Sequence, residues 1–224
     1  MTNMKKNKPK QTKKDSMQAL IKVGLCLLCV LMLFLFIYQR MKTEREEEAK
    51  EIDASKPAMT VALLDVNPYS RPGIEVTEIK NVVIHYTANP GSTAMNNRDY
   101  FQGLKDTHTT QASSNFVVGL EGEIVQCVPT WEVAYASNDR NIDSVSIEFC
   151  HPDETGKPKE ATYDSLVQLC GWLCRKFDLT AEEIIRHYDV TGKNCPKYFV
   201  EDEKAFVDFK TDVQNAINRG GTDE

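Results

Sequence analysis

The sequence predicts an α/β fold: a mixed central β-sheet flanked by helices, with a single transmembrane helix ahead of it. Three observations predict this. Short apolar or β-branched runs alternate with stretches of helical periodicity through the last two-thirds of the 224 residues, the pattern of strands and helices packed in layers. Two of the runs are separated by Glu121-Gly122, a hairpin signal that puts an antiparallel pair into the sheet. Near the amino terminus, residues 23–38 contain no charged side chain.

The elements follow in order. Residues 1–22 carry seven Lys and one Asp and read as an unstructured cytoplasmic basic arm. The apolar run, extended back to residue 20 past a snorkelling Lys22, gives residues 20–38 as a transmembrane anchor. Positive charge on its amino-terminal side predicts a cytoplasmic amino terminus and an extracytoplasmic domain. The sequence after the run, Gln39-Arg40-Met41-Lys42, lacks the small-residue pattern of a signal cleavage site. Residues 39–59 are a charged stalk, helical or disordered, and 60–224 the folded domain.

Within that domain Val82-Val83-Ile84-His85 reads as a buried strand. Met95, Tyr100, Phe101 and Leu104 mark a helix over 93–107, and 115–120 with 123–128 form the hairpin. A strand over 145–150 turns Val145, Ile147 and Phe149 to one face and Ser146, Glu148 and Cys150 to the other, either outward to water or inward to a cleft. An amphipathic helix covers 161–177, a short helix capped by Thr180 covers 181–185, and a terminal helix covers 200–217 before a frayed tail.

The formal net charge of −6 divides into about +6 on the arm and −12 on the remainder, so the domain has no electrostatic footprint for nucleic acid. No obligate protein partner is evident. The seven cysteines show no spacing of a disulfide scaffold. Cys170 and Cys174 read as small buried hydrophobes, while Cys127 and Cys150 pair only if their strands are neighbours.

His187 and Cys195 flank a late loop, and both are zinc-ligand types, but two ligands do not make a site. Hydrolytic zinc takes three protein ligands and leaves a fourth position to water. The chain has four histidines. His85 ends a core strand, where a lone histidine is more often a satisfied core residue; His108 and His151 lie in polar loops and read as surface residues.

Val83-Ile84-His85-Tyr86-Thr87-Ala88 together with His187-Tyr188-Asp189-Val190-Thr191-Gly192-Lys193-Asn194-Cys195-Pro196 resembles the zinc-dependent N-acetylmuramoyl-L-alanine amidases of the type-2 group, which includes phage endolysins and the animal peptidoglycan recognition proteins. The resemblance spans roughly residues 75–200. It implies zinc held by His85, His187 and Cys195, the last replaced by Asp in some relatives. It also implies Glu148 as the general base toward a zinc-activated water and Lys193 as the oxyanion stabiliser. The substrate would be the amide between N-acetylmuramic acid and L-alanine in peptidoglycan, at a bacterial cell membrane.

Amide hydrolysis needs a nucleophile, an acceptor for developing charge and a proton carrier, and these residue types supply them. Bland readings of two of them stand alongside: Lys193 as a solvated charge, Glu148 as a salt-bridged edge residue. Many relatives carry Tyr-His or Tyr-Asn where this chain has Ser114-Asn115; a mechanism using that tyrosine is excluded, and more of the work falls on Glu148. Asn115 is left to contact substrate or order the cleft. Trp131, Tyr135 and Asn138 match the family's groove loop, with core packing an equal contender for both aromatic residues. A non-catalytic peptidoglycan-binding receptor on the same fold is the alternative, and a zinc peptidase acting on the stem peptide a third.

Overall fold

The computed structural model describes residues 13–220, with side chains from Ser16 onward; residues 1–12 of the basic arm and 221–224 of the expected tail lie outside the described residues. The chain divides into two compact units, one ending at Glu51 and one running from Ile52.

The described residues of the first unit, from Lys13 on, are helical. Helix α1 (Lys13–Ala54) continues unbroken through the apolar run and into the stalk as far as Ala54, and its large apolar side chains from Met17 to Met41 are exposed. A helix with no polar face and no protein cover is long and apolar enough to cross a bilayer. Past the run the stalk stays helical, with good helix formers and spaced ion pairs such as Arg40–Glu44 at 2.9 Å.

The second unit is built on six strands: β1 (Thr60–Val61), β2 (Asn81–Tyr86), β3 (Phe116–Val118), β4 (Ile124–Gln126), β5 (Ser144–Phe149) and β6 (Ile184–Arg186). Their order is β1-β4-β3-β5-β2-β6. Only β3 and β4 pair antiparallel; every other pairing is parallel, so the sheet is mixed as expected. The hairpin turn depends on Gly122, whose φ is +83° and where a Cβ would sit 2.7 Å from the Ala161 carbonyl oxygen.

Alternation along the strands separates two cores. Val82, Ile84, Val145, Ile147 and Phe149 pack against α3 (Glu160–Phe177) and α6 (Glu203–Arg219) through Leu166, Leu169, Leu173, Phe209 and Val213, each full burial stabilising by about 1.5–3 kcal/mol. On the other face Val117 and Val125 meet Ala94 and Phe101 of α2 (Ala94–Thr107). Thr93 caps α2 through a capping box with Asn96.

Four expectations need correction. Residues 13–22 of the basic arm, expected to be unstructured, form the first turns of α1. Residues 181–185 are not a helix: a 3-10 turn at Ala181–Glu183 leads into β6, which adds to β2 in parallel. The terminal helix is two, α5 (Lys197–Glu201) and α6, broken at Asp202, whose carboxylate accepts from Ala205 N at 3.0 Å and caps α6. His151 is buried, at 1% exposure, with its ring 5.1 Å from that of Tyr86; His108 is exposed and stacks on Tyr69. Cys127 and Cys150 are free. They sit at opposite ends of β3, bonded to Asn115 and Val118 respectively, which is too far apart for a bridge.

Candidate metal centre

His85 is the fifth residue of β2 and points away from the Val82–Ile84 core face. Residue 84 pairs with Arg186 on β6, so the next residue, His187, arrives beside His85 as the first residue of α4 (His187–Thr191). Helix α4 ends at Gly192, φ +77°, and the chain folds back. Tyr188 N donates to Cys195 O at 2.8 Å, and Cys195 N donates to Lys193 O at 2.7 Å, which returns the thiol to the two imidazoles.

The ligand atoms of His85, His187 and Cys195 all lie within 4.8 Å of one another. The ring centroids of the histidines are 4.7 Å apart, edge to face, and Cys195 Sγ is 3.8 Å from His85 Nδ1. All three side chains are buried. His85 Nε2 lies 3.0 Å from Ser137 Oγ, and His187 Nε2 lies 2.8 Å from Asn138 Oδ1.

Burial, followed by the charges of His187 and Lys193, holds His85 well below the usual imidazole range. Burial and then Lys193 lower His187. Both rings are therefore neutral, the form that ligates metal. Burial pushes the Cys195 thiol up to about 12, so without a cation it stays protonated, whereas a bound metal would deprotonate it.

Among the described residues buried His187 Nδ1 has no hydrogen-bond partner, a cost that ligation would remove. Two imidazoles and one thiol, converging and buried, fit a soft, tetrahedral metal such as zinc with one position left open.

Glu148 stands opposite His85 in the β2–β5 ladder and shares its face, so the cleft, not water, is where the alternation sends it. Its Oε2 is buried and unpartnered, and burial raises the carboxyl from 4.5 to about 8 against the pull of Lys193. Lys193 is exposed, yet its charge acts on His85, His187, Glu148 and Cys195 alike.

Arg186 braces the loop. It pairs with Asp189 at 2.9 Å and Glu203 at 2.6 Å, donates to Phe199 O, and lies over Phe206 at 4.6 Å.

The four expected substrate contacts separate. Asn115 is fully buried, its Oδ1 accepting from Ser146 N and Oγ and its Nδ2 donating to Pro129 O and Glu132 O. With its amide group committed, it orders the cleft wall. Ser114 is equally buried, its hydroxyl bonded to Phe116 O and Ser146 O. Trp131 is 61% exposed, Tyr135 half-buried, and Asn138 exposed but spent on His187. Ser137 was not singled out by the sequence, where a serine in a polar loop carries no signal of its own. Buried His151 donates through Nδ1 to the Asp153 carbonyl oxygen, 2.7 Å away.

A family model described as N-acetylmuramoyl-L-alanine amidase matches residues 75–198. Curated relatives include the N-acetylmuramoyl-L-alanine amidase CwlL of Bacillus licheniformis, 34% identical over 164 residues, covering 68% of this chain and 45% of that protein. Another is the N-acetylmuramoyl-L-alanine amidase BlyA of Bacillus subtilis (strain 168), 35% identical over 183 residues, covering 69% and 46%. The chain thus spans about half the length of the curated relatives it matches.

Among solved structures, PlyL superposes with a TM-score of 0.61 at 20% identity over 70% of this chain and 98% of that one. The catalytic domain of XlyA gives 0.60 at 22% identity over 70% and 99%. At such identities the likeness is one of fold.

Proposed function

Because the chain belongs to the N-acetylmuramoyl-L-alanine amidase family, we propose that it hydrolyses the amide between N-acetylmuramic acid and L-alanine in peptidoglycan, as a zinc enzyme. The observation that carries this reading is the convergence of His85, His187 and Cys195 within 4.8 Å beside an unpartnered Glu148. These three residues would hold the metal, which supplies Lewis acidity and makes a water nucleophilic near pH 7.

The chain's own groups do the rest. Glu148 takes a proton from the attacking water at its free Oε2 and returns it to the leaving amine of alanine. In the metal-free protein burial lifts this carboxyl to about 8, and the charge of a bound cation would draw it down toward the range in which it accepts a proton near neutrality. Lys193 offers a fixed positive charge at the rim to the carbonyl oxygen as charge gathers there, an effect of order 10²–10³ in rate for a single donor. Arg186, through Asp189 and Glu203, keeps the His187–Lys193–Cys195 loop in register for both jobs. Trp131 and Tyr135 are the side chains left for contact with the glycan or peptide.

In this reading the chain is a single-pass protein of a bacterial membrane. Its basic arm (1–22) is cytoplasmic, residues 20–38 are the anchor, 39–59 the stalk, and the 60–224 domain faces the wall. The apolar, uncovered α1 and the lysine-rich arm support that orientation.

The test is mass spectrometry of muropeptides from cell walls digested by the full-length chain in detergent, with and without a chelator. Zinc-dependent release of stem peptides beginning in free L-alanine is expected; new reducing sugar ends without new alanine amines would refute the assignment.

A further inference from the structure

We propose that Ser137 and Asn138 are paired positioning residues for the metal centre: adjacent on one turn, they hold the outer nitrogens of both histidines and so present both inner nitrogens toward Cys195. This rests on the reading of His85, His187 and Cys195 as zinc ligands.

Asn138 Oδ1 lies 2.8 Å from His187 Nε2. An amide oxygen only accepts, so His187 carries its proton on Nε2 and keeps a lone pair on Nδ1. That Nδ1 is buried and has no partner among the described residues. On His85 the geometry repeats: Nε2 is 3.0 Å from Ser137 Oγ, while Nδ1 faces Cys195 Sγ at 3.8 Å. A serine hydroxyl can accept from Nε2–H, which sets the same tautomer. One dipeptide thus reaches two ligands that are about a hundred residues apart in sequence.

The turn is itself fixed. Asn141 Oδ1 accepts from the backbone N of Ala136 at 3.1 Å and of Ser137 at 2.6 Å. Arg140 pairs with Asp143 at 3.0 Å and donates to Asn81, the first residue of the strand that carries His85. Ser137 is 1% exposed. Asn138 sits at φ 53°, a left-handed conformation that asparagine tolerates better than most residues. The choice of residue is therefore explained twice, by the backbone and by the acceptor it delivers.

The backbone also dictates the variants. Asn138→Gly keeps the left-handed conformation and removes the acceptor; Asn138→Asp keeps both. Ser137→Ala removes the other acceptor and leaves the backbone alone. Zinc affinity of the full-length chain in detergent is measured by competition with a chromophoric chelator, alongside thermal melting of the zinc-free protein.

Asn138→Gly and Ser137→Ala should each weaken zinc about 10- to 100-fold, with the zinc-free melting temperature unchanged and Asn138→Asp restoring affinity. Native affinity in both loss variants, or a matching fall in zinc-free melting, overturns the inference, as does Asn138→Asp binding no better than Asn138→Gly. A native chain that binds no zinc overturns the ligand assignment and this inference with it, whereas zinc binding indifferent to residues 137 and 138 overturns this inference alone.

Discussion

Replacing Glu148 by Gln should make the metal-free protein more stable while disabling the enzyme. The carboxyl is lifted from 4.5 to about 8, chiefly by burial, and its Oε2 has no partner. Because the folded value lies above the unfolded one, the folded state binds more protons between those two values. Stability from this group is complete below about pH 4.5, declines as pH rises, and is lost by about pH 8.

A displacement of that size is worth on the order of 5 kcal/mol at about 1.4 kcal/mol per pH unit, and partial solvent access reduces it to about 2 kcal/mol. Glutamine has the same shape and never ionises. Chelator-treated Glu148→Gln should therefore gain about 2 kcal/mol over the native chain at pH 8 and almost nothing at pH 4.5, read by denaturant titration at both values. Wall hydrolysis with zinc present should fall about 10²- to 10⁴-fold. An equal stability difference at the two pH values would refute the buried, displaced carboxyl; native turnover would refute its role as base.

Other outcomes follow from the same geometry. Lys193→Ala should retain one zinc per chain by metal analysis while turnover on cell walls drops about 10²–10³-fold, whereas His85→Ala should lose metal and turnover together. Phe199, fully buried and ringed by Phe149, Phe206 and Phe209 at 5.1–5.8 Å, should cost about 3–5 kcal/mol on truncation to Ala, measured by denaturant unfolding. Burial holds the Cys127, Cys150 and Cys174 thiols up at about 12. Intact-mass measurements after alkylation at pH 8 should show these three unmodified in the folded chain and modified in denaturant.

What could be read from the sequence was what local signals carry. Helix α2 announces itself with a cap and a clean apolar stripe, and α3 with a long one. Glu121-Gly122 sets the hairpin. Strand β6 escaped because three residues, Ile184-Ile185-Arg186, are too few for a period, and their partner is β2, about a hundred residues earlier; the Thr180 cap in front of them favoured a helix. The break at Asp202 is hidden by apolar residues that keep helical spacing on both sides of it. His151 looked like a loop residue before a proline, but Gly91 N donates to its carbonyl and its ring packs 5.1 Å from that of Tyr86, contacts that no local pattern announces.

The candidate ligands stood out because histidine and cysteine are scarce and chemically distinct. Ser137 and Asn138 did not, since serine and asparagine in a loop ordinarily mean only a turn. Asn115 shows the converse: a polar residue marked for substrate proves saturated by its neighbours, a fact no one-dimensional pattern contains.

The pairing of residue 85 with residue 148 across two parallel strands has a practical corollary. The spacing between the proposed first ligand, His85, and the proposed base, Glu148, is set by the pitch of a ladder whose far side is packed with Val82, Ile84, Ile147 and Phe149, not by any loop. The connections at 88–92 and 152–158, which carry none of the proposed chemistry, are therefore natural places for grafting. Segments exchanged there should leave the 85–148 pairing as it is, because the sheet and not the loops sets it.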